Sequence, residues 1–226
     1  MVRGPAGLLT CLLNPRAVNT LSIRVVGIFI LCLLFAEAAV AATAPAPTIL
    51  VVGDSLSAGF GIKLEQGWVA LLQKKLAQEG YGHRVVNASA SGETSGGAMT
   101  RLPRALAQHR PAIVILELGG NDGLRGLPVG DIRANFERMI GLATQAGARV
   151  LLIGMRMPPN YGPQYTREFD GLYAELARAH GLALVPFFLD GVALDDGLMQ
   201  DDGIHPNAAA QPKLLAVVWP ALRPLL

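Results

Sequence analysis

The stretch Ile49–Gly61, ILVVGDSLSAGFG, joins a short apolar run to a cluster of small residues. An apolar, largely β-branched run that meets Gly and polar residues indicates a buried strand ending in a tight turn. Similar runs recur along the chain, separated by stretches with the apolar spacing of helices, such as Trp68–Leu76. The predicted strands are Thr48–Val52, Arg84–Val86, Ile113–Leu118, Val150–Met155 and Leu182–Val185. The spacing also predicts a last helix over Pro206–Leu222.

This alternation of strands and helices predicts the fold class. A strand followed repeatedly by a helix is typical of a parallel sheet with helices on both faces. Right-handed crossovers then give an α/β protein, a three-layer α/β/α sandwich with a doubly wound, mainly five-stranded sheet. Ligands of such sheets bind beyond the carboxyl ends of the strands. The residues that follow each apolar run are therefore the candidates for function.

Residues 1–44 predict a secretory signal peptide and its junction. The apolar block Val25–Phe35 follows three arginines and precedes the small residues AEAAVAATA, which suit cleavage after Ala41 or near Ala44. The block of about 11 residues is shorter than the roughly 20 that cross a bilayer as a helix. A retained membrane anchor is the alternative, and the length of the basic region leaves a start codon downstream of Met1 open. We expect residues 45–226 to form one domain in the periplasm or outside the cell.

Charge and cysteine content exclude several classes of function for residues 45–226. Residues 1–44 hold three of the 19 basic and one of the 17 acidic side chains, which leaves 16 of each sign. No basic run suggests nucleic-acid binding. The two cysteines, Cys11 and Cys32, both lie in the leader. The rest of the chain therefore has no disulfide, no thiolate nucleophile and no cysteine-ligated zinc.

The turn Gly53–Gly59 fits neither of two common glycine-rich motifs. Leu64 stands where a dinucleotide-binding loop needs its third glycine, and no Lys-Ser/Thr pair follows Gly61. The nucleophile elbow GxSxG fails because Ser57 occupies the position of its last glycine. What remains is Ser55 at a strand-to-helix turn, where its Oγ can face a cleft. Taken alone, such a serine is more often a turn or capping residue.

Two further strand ends carry groups that can stabilise negative charge. After the third predicted strand, ELGGNDG places Asn121 behind two glycines that permit close backbone approach. Its amide is a suitable oxyanion donor, although capping the next turn is the commoner role. After the second strand, NASASGETSGG offers Gly92, whose N–H no side chain obstructs. An ordinary turn is the alternative for Gly92.

The segment QDDGIHPNAAAQ before the last helix contains an acid and a base in reach of each other. Asp202 and His205 are three residues apart, so one turn can place carboxylate and imidazole side by side. That pairing suits a base held in one tautomer by an acid. A metal site of Asp201, Asp202 and His205 is the alternative, but it lacks the second ligand cluster that most sites need. The other histidines are expected on the surface: His83, His109 and His180.

Together these groups fill every role of a serine hydrolase. Ser55 is the candidate nucleophile, His205 the base and Asp202 its orienting acid. The oxyanion donors are the N–H groups of Ser55 and Gly92 and the amide of Asn121. All of them follow predicted strands or lie at the same edge of the sheet. This coincidence favours a catalytic reading of Ser55 over a turn serine.

The chain resembles the SGNH hydrolases, also called the GDSL family. GDSLS looks like the first block of the family with Ser55, SGETS the second with Gly92, GGND the third with Asn121, and DGIHP the last with Asp202 and His205. Four blocks in the family's order are a specific signal. The similarity extends from about Ile49 to Leu222 and implies a flavodoxin-like SGNH hydrolase fold.

More narrowly, GDSLSAGFGI, LGGNDGLRG and RMPPNYGPQY resemble a secreted thioesterase, lysophospholipase and arylesterase branch. That resemblance implies hydrolysis of acyl esters and thioesters through an acyl-enzyme, with a mobile loop at Met157–Tyr161 beside the acyl pocket. The expected substrate-binding residues are Leu124, Met157, Pro158, Asn160 and Tyr161. We expect a monomer that acts on a small-molecule substrate with no cofactor, metal or nucleic-acid partner. The alternatives are a carbohydrate acetyl esterase on the same fold and an inactive binding relative.

Overall fold

Five parallel strands form the central sheet of residues 45–226, the part of the chain that the computed structural model describes. The predicted leader, residues 1–44, lies outside the described residues. The strand order is β2-β1-β3-β4-β5. This is the order of the flavodoxin-like doubly wound sheet, and it confirms the predicted fold class. The strands are β1 (Thr48–Gly53), β2 (Arg84–Asn87), β3 (Ile113–Glu117), β4 (Arg149–Ile153) and β5 (Ala183–Val185).

Helices connect the strands and cover the sheet. The α-helices are α1 (Ser55–Ala58), α2 (Trp68–Gln78), α3 (Ser95–His109), α4 (Gly120–Leu124), α5 (Val129–Gln145), α6 (Pro163–His180) and α7 (Gln211–Leu222). Single 3₁₀ turns occur at Leu64–Gln66, Pro159–Tyr161, Asp196–Leu198, Ala208–Ala210 and Arg223–Leu225. Helices α2 and α7 pack on each other, and α5 packs on both α3 and α6. None of these helices is long and apolar enough to cross a membrane.

The sheet is buried on both faces, as an all-parallel sheet must be. Every residue of β1 and β3 is buried, and so are four of the five residues of β4. This accounts for the near-continuous apolar runs in the sequence, because neither face of a central strand meets water. One histidine contradicts its prediction: His83, just before β2, is buried, and burial lowers the pKa of its imidazole.

The last helix begins later than its sequence predicts. The structure starts α7 at Gln211, whereas the pattern predicts a helix from Pro206. The side chain of Asn207 accepts hydrogen bonds from Ala209 N and Ala210 N, so the first turn is a capped 3₁₀ turn. Pro206 pairs instead with Met199 in an isolated antiparallel bridge. The residues between the candidate base and α7 therefore form a bridge and a capped turn instead of the first turns of the helix.

Candidate active site

The turn after β1 carries the candidate nucleophile. Ser55 is the first residue of α1, and the side chain of Asp54 caps this helix by accepting a hydrogen bond from Leu56 N at 3.0 Å. Aspartate is a favoured capping residue because its short side chain reaches these otherwise unpaired N–H groups. Ser55 is 9% exposed. Its hydroxyl thus lies at the carboxyl edge of the sheet, where the sequence predicts it.

Ser55, His205 and Asp202 form one continuous set of contacts. The distance from His205 Nε2 to Ser55 Oγ is 2.9 Å, and that from His205 Nδ1 to Asp202 Oδ2 is 2.6 Å. These contacts join residues 150 positions apart in the chain. A hydroxyl, an imidazole and a carboxylate in this order can deprotonate the hydroxyl as it attacks an electrophile.

Backbone donors hold the Asp202 carboxylate in its ionised form. Asp202 Oδ1 accepts hydrogen bonds from His205 N and Ile204 N, each at 2.9 Å. These bonds, first that from His205 N and then that from the His205 ring, lower the pKa of Asp202 to about 2. The acid therefore stays charged at neutral pH and can orient a histidine that gains a proton.

Asn121 lies beside the nucleophile with its amide oriented by Asp54. Asn121 Nδ2 donates to Asp54 Oδ2 at 3.1 Å. Because a carboxylate only accepts hydrogen bonds, this contact fixes the amide nitrogen of Asn121 on the side of Asp54, which lines the same cleft as Ser55. Asp54 is buried, and burial is the main cause that raises its pKa to about 6. The sequence pattern does not predict this role of Asp54.

The loop that carries Gly92 is tied to the segment that carries Asn121. Arg125 Nη2 donates to Gly92 O at 3.0 Å. The buried carboxylate of Asp122 accepts hydrogen bonds from Ser95 N at 2.9 Å and from Ser95 Oγ at 2.6 Å. Gly92 itself has φ 75°, which glycine adopts without strain. Both predicted oxyanion segments are thus connected by charge-assisted hydrogen bonds.

Ser57, the second serine of the opening turn, points away from the base into a buried polar cluster. Its Oγ donates to Glu117 Oε2 at 2.6 Å and accepts from Trp68 Nε1 at 3.2 Å. Glu117 is completely buried, and burial raises the pKa of its carboxyl well above the ordinary value. Ser57 is therefore a structural residue that anchors α1 to β3 and α2.

An apolar cleft opens beside Ser55, with a volume of about 570 Å³. Three predicted substrate-binding residues line it: Leu124, Met157 and Pro158. Asn160 and Tyr161 lie outside its lining, and Tyr161 Oη instead donates to Leu124 O at 3.0 Å. Sequence reasoning misses the wall formed by the segments after β5 and before α7: Phe187, Leu189, Ala193, Leu194, Met199 and Ile204.

That wall begins after the carboxyl end of β5. Because parallel sheets bind ligands beyond the carboxyl ends of their strands, its position in the chain is a signal from which it could have been predicted. Within residues 45–226, the structure has no group of three or more His, Cys, Asp or Glu side chains that could hold a metal ion. The arrangement of Asp202 with His205 is that of a hydrogen-bonded pair.

The chain belongs to the GDSL-like lipase/acylhydrolase family, whose family model matches residues 51–211. This match runs from the middle of β1 to the first residue of α7 and includes the residues of all four motif blocks. The family and its relatives support ester hydrolysis as the class of reaction.

Several known proteins are similar over most of the chain. Esterase TesA of Pseudomonas aeruginosa is 57% identical over 183 residues, which are 81% of this chain and 91% of the esterase. The Escherichia coli K12 protein called thioesterase 1/protease 1/lysophospholipase L1 is 43% identical over 183 residues, 81% of this chain and 86% of that protein. A crystal structure of TesA superposes with a TM-score of 0.77 at 57% identity, covering 79% of this chain and 99% of that one.

Proposed function

We propose that this protein hydrolyses acyl esters and thioesters through an acyl-enzyme on Ser55. The observation that carries the proposal is the unbroken path from Asp202 to His205 to Ser55, with contacts of 2.6 and 2.9 Å. A serine hydroxyl is a weak nucleophile unless a base lies within hydrogen-bond reach. Here the base is in reach, and a charged acid orients it.

The reaction has two matching halves. Ser55 Oγ forms a bond to the carbonyl carbon while His205 Nε2 takes the hydroxyl proton. The tetrahedral intermediate collapses, its bond to the alcohol or thiol breaks, and His205 returns the proton to that leaving group. Water then attacks the acyl-enzyme in the same way, with His205 as base, and releases the carboxylic acid and free Ser55. Asp202 stabilises the imidazolium in both halves.

The negative charge on the carbonyl oxygen needs donors that are already in place. We assign this role to the N–H groups of Ser55 and Gly92 and to the amide of Asn121, whose orientation Asp54 maintains. Removing one such donor typically lowers turnover about 10²- to 10³-fold. Replacing Asn121 by Ala should therefore lower kcat by that order and leave KM nearly unchanged.

The cleft favours acyl chains over sugars. Its lining is largely aliphatic and aromatic, which suits an acyl chain, because apolar burial contributes about 0.8 kcal/mol per methylene. The relatives named esterase and thioesterase support the same two classes of bond. A carbohydrate esterase would need a more polar cleft. An inactive binding relative would have no need of a base in contact with Ser55.

We also propose that the mature enzyme acts as a monomer in the periplasm or outside the cell. The leader pattern of residues 1–44 supports the proposed location. Expression of the full chain in a bacterium, followed by fractionation and N-terminal sequencing, tests the location and the cleavage site. Light scattering of the purified protein tests the oligomeric state.

The mechanism is tested with p-nitrophenyl esters of increasing chain length and with an acyl-thioester. Wild type and Ser55→Ala are compared, with Ser57→Ala as the matched serine control. A fluorophosphonate probe, which releases fluoride as its phosphorus binds a nucleophilic serine, is applied to all three. We expect Ser55→Ala to abolish both hydrolysis and labelling and Ser57→Ala to retain labelling. Equal hydrolysis by wild type and Ser55→Ala would refute the proposal.

A further inference from the structure

The candidate base lies on a short turn and not on a helix or a long strand. Residues 199–206 close on themselves through one antiparallel bridge, Met199 with Pro206. Two backbone hydrogen bonds support this turn: Gln200 N donates to His205 O at 2.7 Å, and Gly203 N donates to Gln200 O at 2.9 Å. These contacts within the turn fix its conformation. They do not fix its distance from Ser55, which must be set by contacts with another part of the molecule.

Gln200 makes those contacts with its side chain. Gln200 Nε2 donates to Phe60 O at 2.8 Å and to Pro206 O at 3.0 Å. Phe60 lies two residues after the end of α1, and Phe60 N donates to Ser55 O at 3.1 Å. A hydrogen-bonded path therefore runs from the backbone of Ser55 through Phe60 and Gln200 to the backbone of His205. This path lies apart from the catalytic contact itself.

Contacts of Phe60 and Gly61 also hold the turn of His205 against the turn of Ser55. The ring of Phe60 packs on the imidazole of His205, with ring centroids 4.4 Å apart. Gly61 has φ 72°, and a Cβ at this position would collide with the side-chain amide of Gln200. A glycine at position 61 thus leaves room for the Gln200 amide. Gln200 is outside the set of residues that line the acyl cleft.

We propose that Gln200 is a positioning residue that holds His205 at hydrogen-bond distance from Ser55. Its two N–H groups connect the turn of the base to the turn of the nucleophile. The inference rests on the proposed function, because it concerns the same Ser55–His205 contact. It predicts that loss of the Gln200 donors slows proton transfer and leaves substrate binding in the cleft intact.

The test is Gln200→Met, which keeps the length of the side chain and removes both donors without adding charge. Small misplacements of a catalytic group cost up to about 10²-fold in rate. We expect kcat for p-nitrophenyl butyrate to fall roughly ten- to a hundredfold, with KM changed less than about threefold. The rate of fluorophosphonate labelling of Ser55 should fall by a similar factor.

Gly61→Ala approaches the same contact from the other side. It should slow the enzyme as Gln200→Met does, and in the double variant the effects should be clearly less than additive. Gly80→Ala is the matched control, since Gly80 has φ 79° and no atom within 4 Å of an added Cβ. It carries the same backbone strain away from the site, so it should lower thermal stability without changing kcat.

The outcomes separate this inference from the proposed function. If Ser55→Ala retains hydrolysis, the proposed function itself is wrong. If Ser55→Ala is inactive but folded Gln200→Met keeps wild-type kcat and labelling rate, only the positioning role is overturned. If Gly61→Ala lowers kcat by the same factor in the wild type and in the Gln200→Met variant, the positioning role is also overturned. A reduced kcat with near-normal KM and non-additive effects supports it.

Discussion

Asp54→Asn should change the pH dependence of stability in a defined direction. Burial raises the pKa of Asp54 from its ordinary value of 3.8 to about 6. Between these two pH values the folded protein binds a proton more readily than the unfolded chain does. The stability of the wild type therefore falls as pH rises from about 4 through about 6. At about 1.36 kcal/mol per pKa unit, the full cost is about 3 kcal/mol above pH 7.

The asparagine variant lacks this titration and also the repulsion between Asp54 and the buried carboxyl of Glu117, so the difference between the two proteins reports both together. The free energy of unfolding, measured by urea denaturation from pH 4 to pH 8, is compared for Asp54→Asn and wild type. We expect the variant's free energy relative to wild type to rise by about 3 kcal/mol across this range. Effects that do not depend on pH, such as a lost hydrogen bond, shift the whole curve and do not change its slope.

Activity should change in the opposite sense. Asp54 accepts a hydrogen bond at each carboxylate oxygen, from Leu56 N and from Asn121 Nδ2. Asparagine has one acceptor oxygen, so one of these two contacts is lost. If the amide of Asn121 loses its partner, kcat at pH 8 should fall roughly tenfold or more. The variant is then more stable relative to wild type at high pH but slower.

Asp202→Asn supplies the contrasting case. Hydrogen bonds lower the pKa of Asp202 to about 2, so its stabilising contribution is present above pH 3.8 and is lost as pH falls through 2. The stability difference between this variant and wild type should therefore stay constant from pH 5 to pH 8. A curve for Asp54→Asn that is equally flat would refute the raised pKa of Asp54 in the folded protein.

Three further substitutions test other parts of the structure. Ser57→Ala leaves Trp68 Nε1 and a buried oxygen of Glu117 without their partner, so urea denaturation should show a loss of roughly 2–4 kcal/mol; a change under 0.5 kcal/mol would contradict the buried cluster. Arg110→Gly relieves a left-handed backbone at φ 42° and should raise thermal stability by about 0.5–1 kcal/mol; a lower melting temperature would count against it. Leu194→Asp alters the fully exposed rim of the cleft and should lower kcat/KM for p-nitrophenyl decanoate roughly three- to tenfold. Hydrolysis of p-nitrophenyl acetate should be unchanged, and an equal loss for both esters would place Leu194 outside the acyl path.

The fold class was predictable because each central strand is buried on both faces. Burial on both faces requires near-continuous apolar runs, and β1 and β3 show them clearly. Boundaries were less predictable where a side chain competes for the backbone. Asn207 delays α7, and the side chain of Thr94 caps α3 by accepting a hydrogen bond from Gly97 N, which fixes the start of that helix at Ser95. Such capping depends on side-chain rotamers that spacing alone does not specify.

The candidate site likewise contains residues that were predictable from the sequence and residues that were not. Ser55, Asn121 and the Asp202–His205 pair were predictable because each follows a strand end or precedes the last helix, at the edge where parallel sheets bind ligands. The cleft wall after β5 was missed because its apolar residues show no periodicity that distinguishes a lining from ordinary packing. His83 was misjudged because its burial depends on neighbours from distant segments.

The sequence by itself determined the chemistry that is available: a serine at the first strand end, an acid and a histidine three residues apart, and amide donors between them. These are properties of residue type and of position along a strand–helix pattern, which local propensity and burial dictate. Only the tertiary structure decided that His205 Nε2 lies 2.9 Å from Ser55 Oγ. It also revealed the partners that hold these groups, Asp54 for Asn121 and Gln200 for His205. Contacts between residues far apart in the chain depend on how the strands and loops meet in space, and no local pattern encodes that distance.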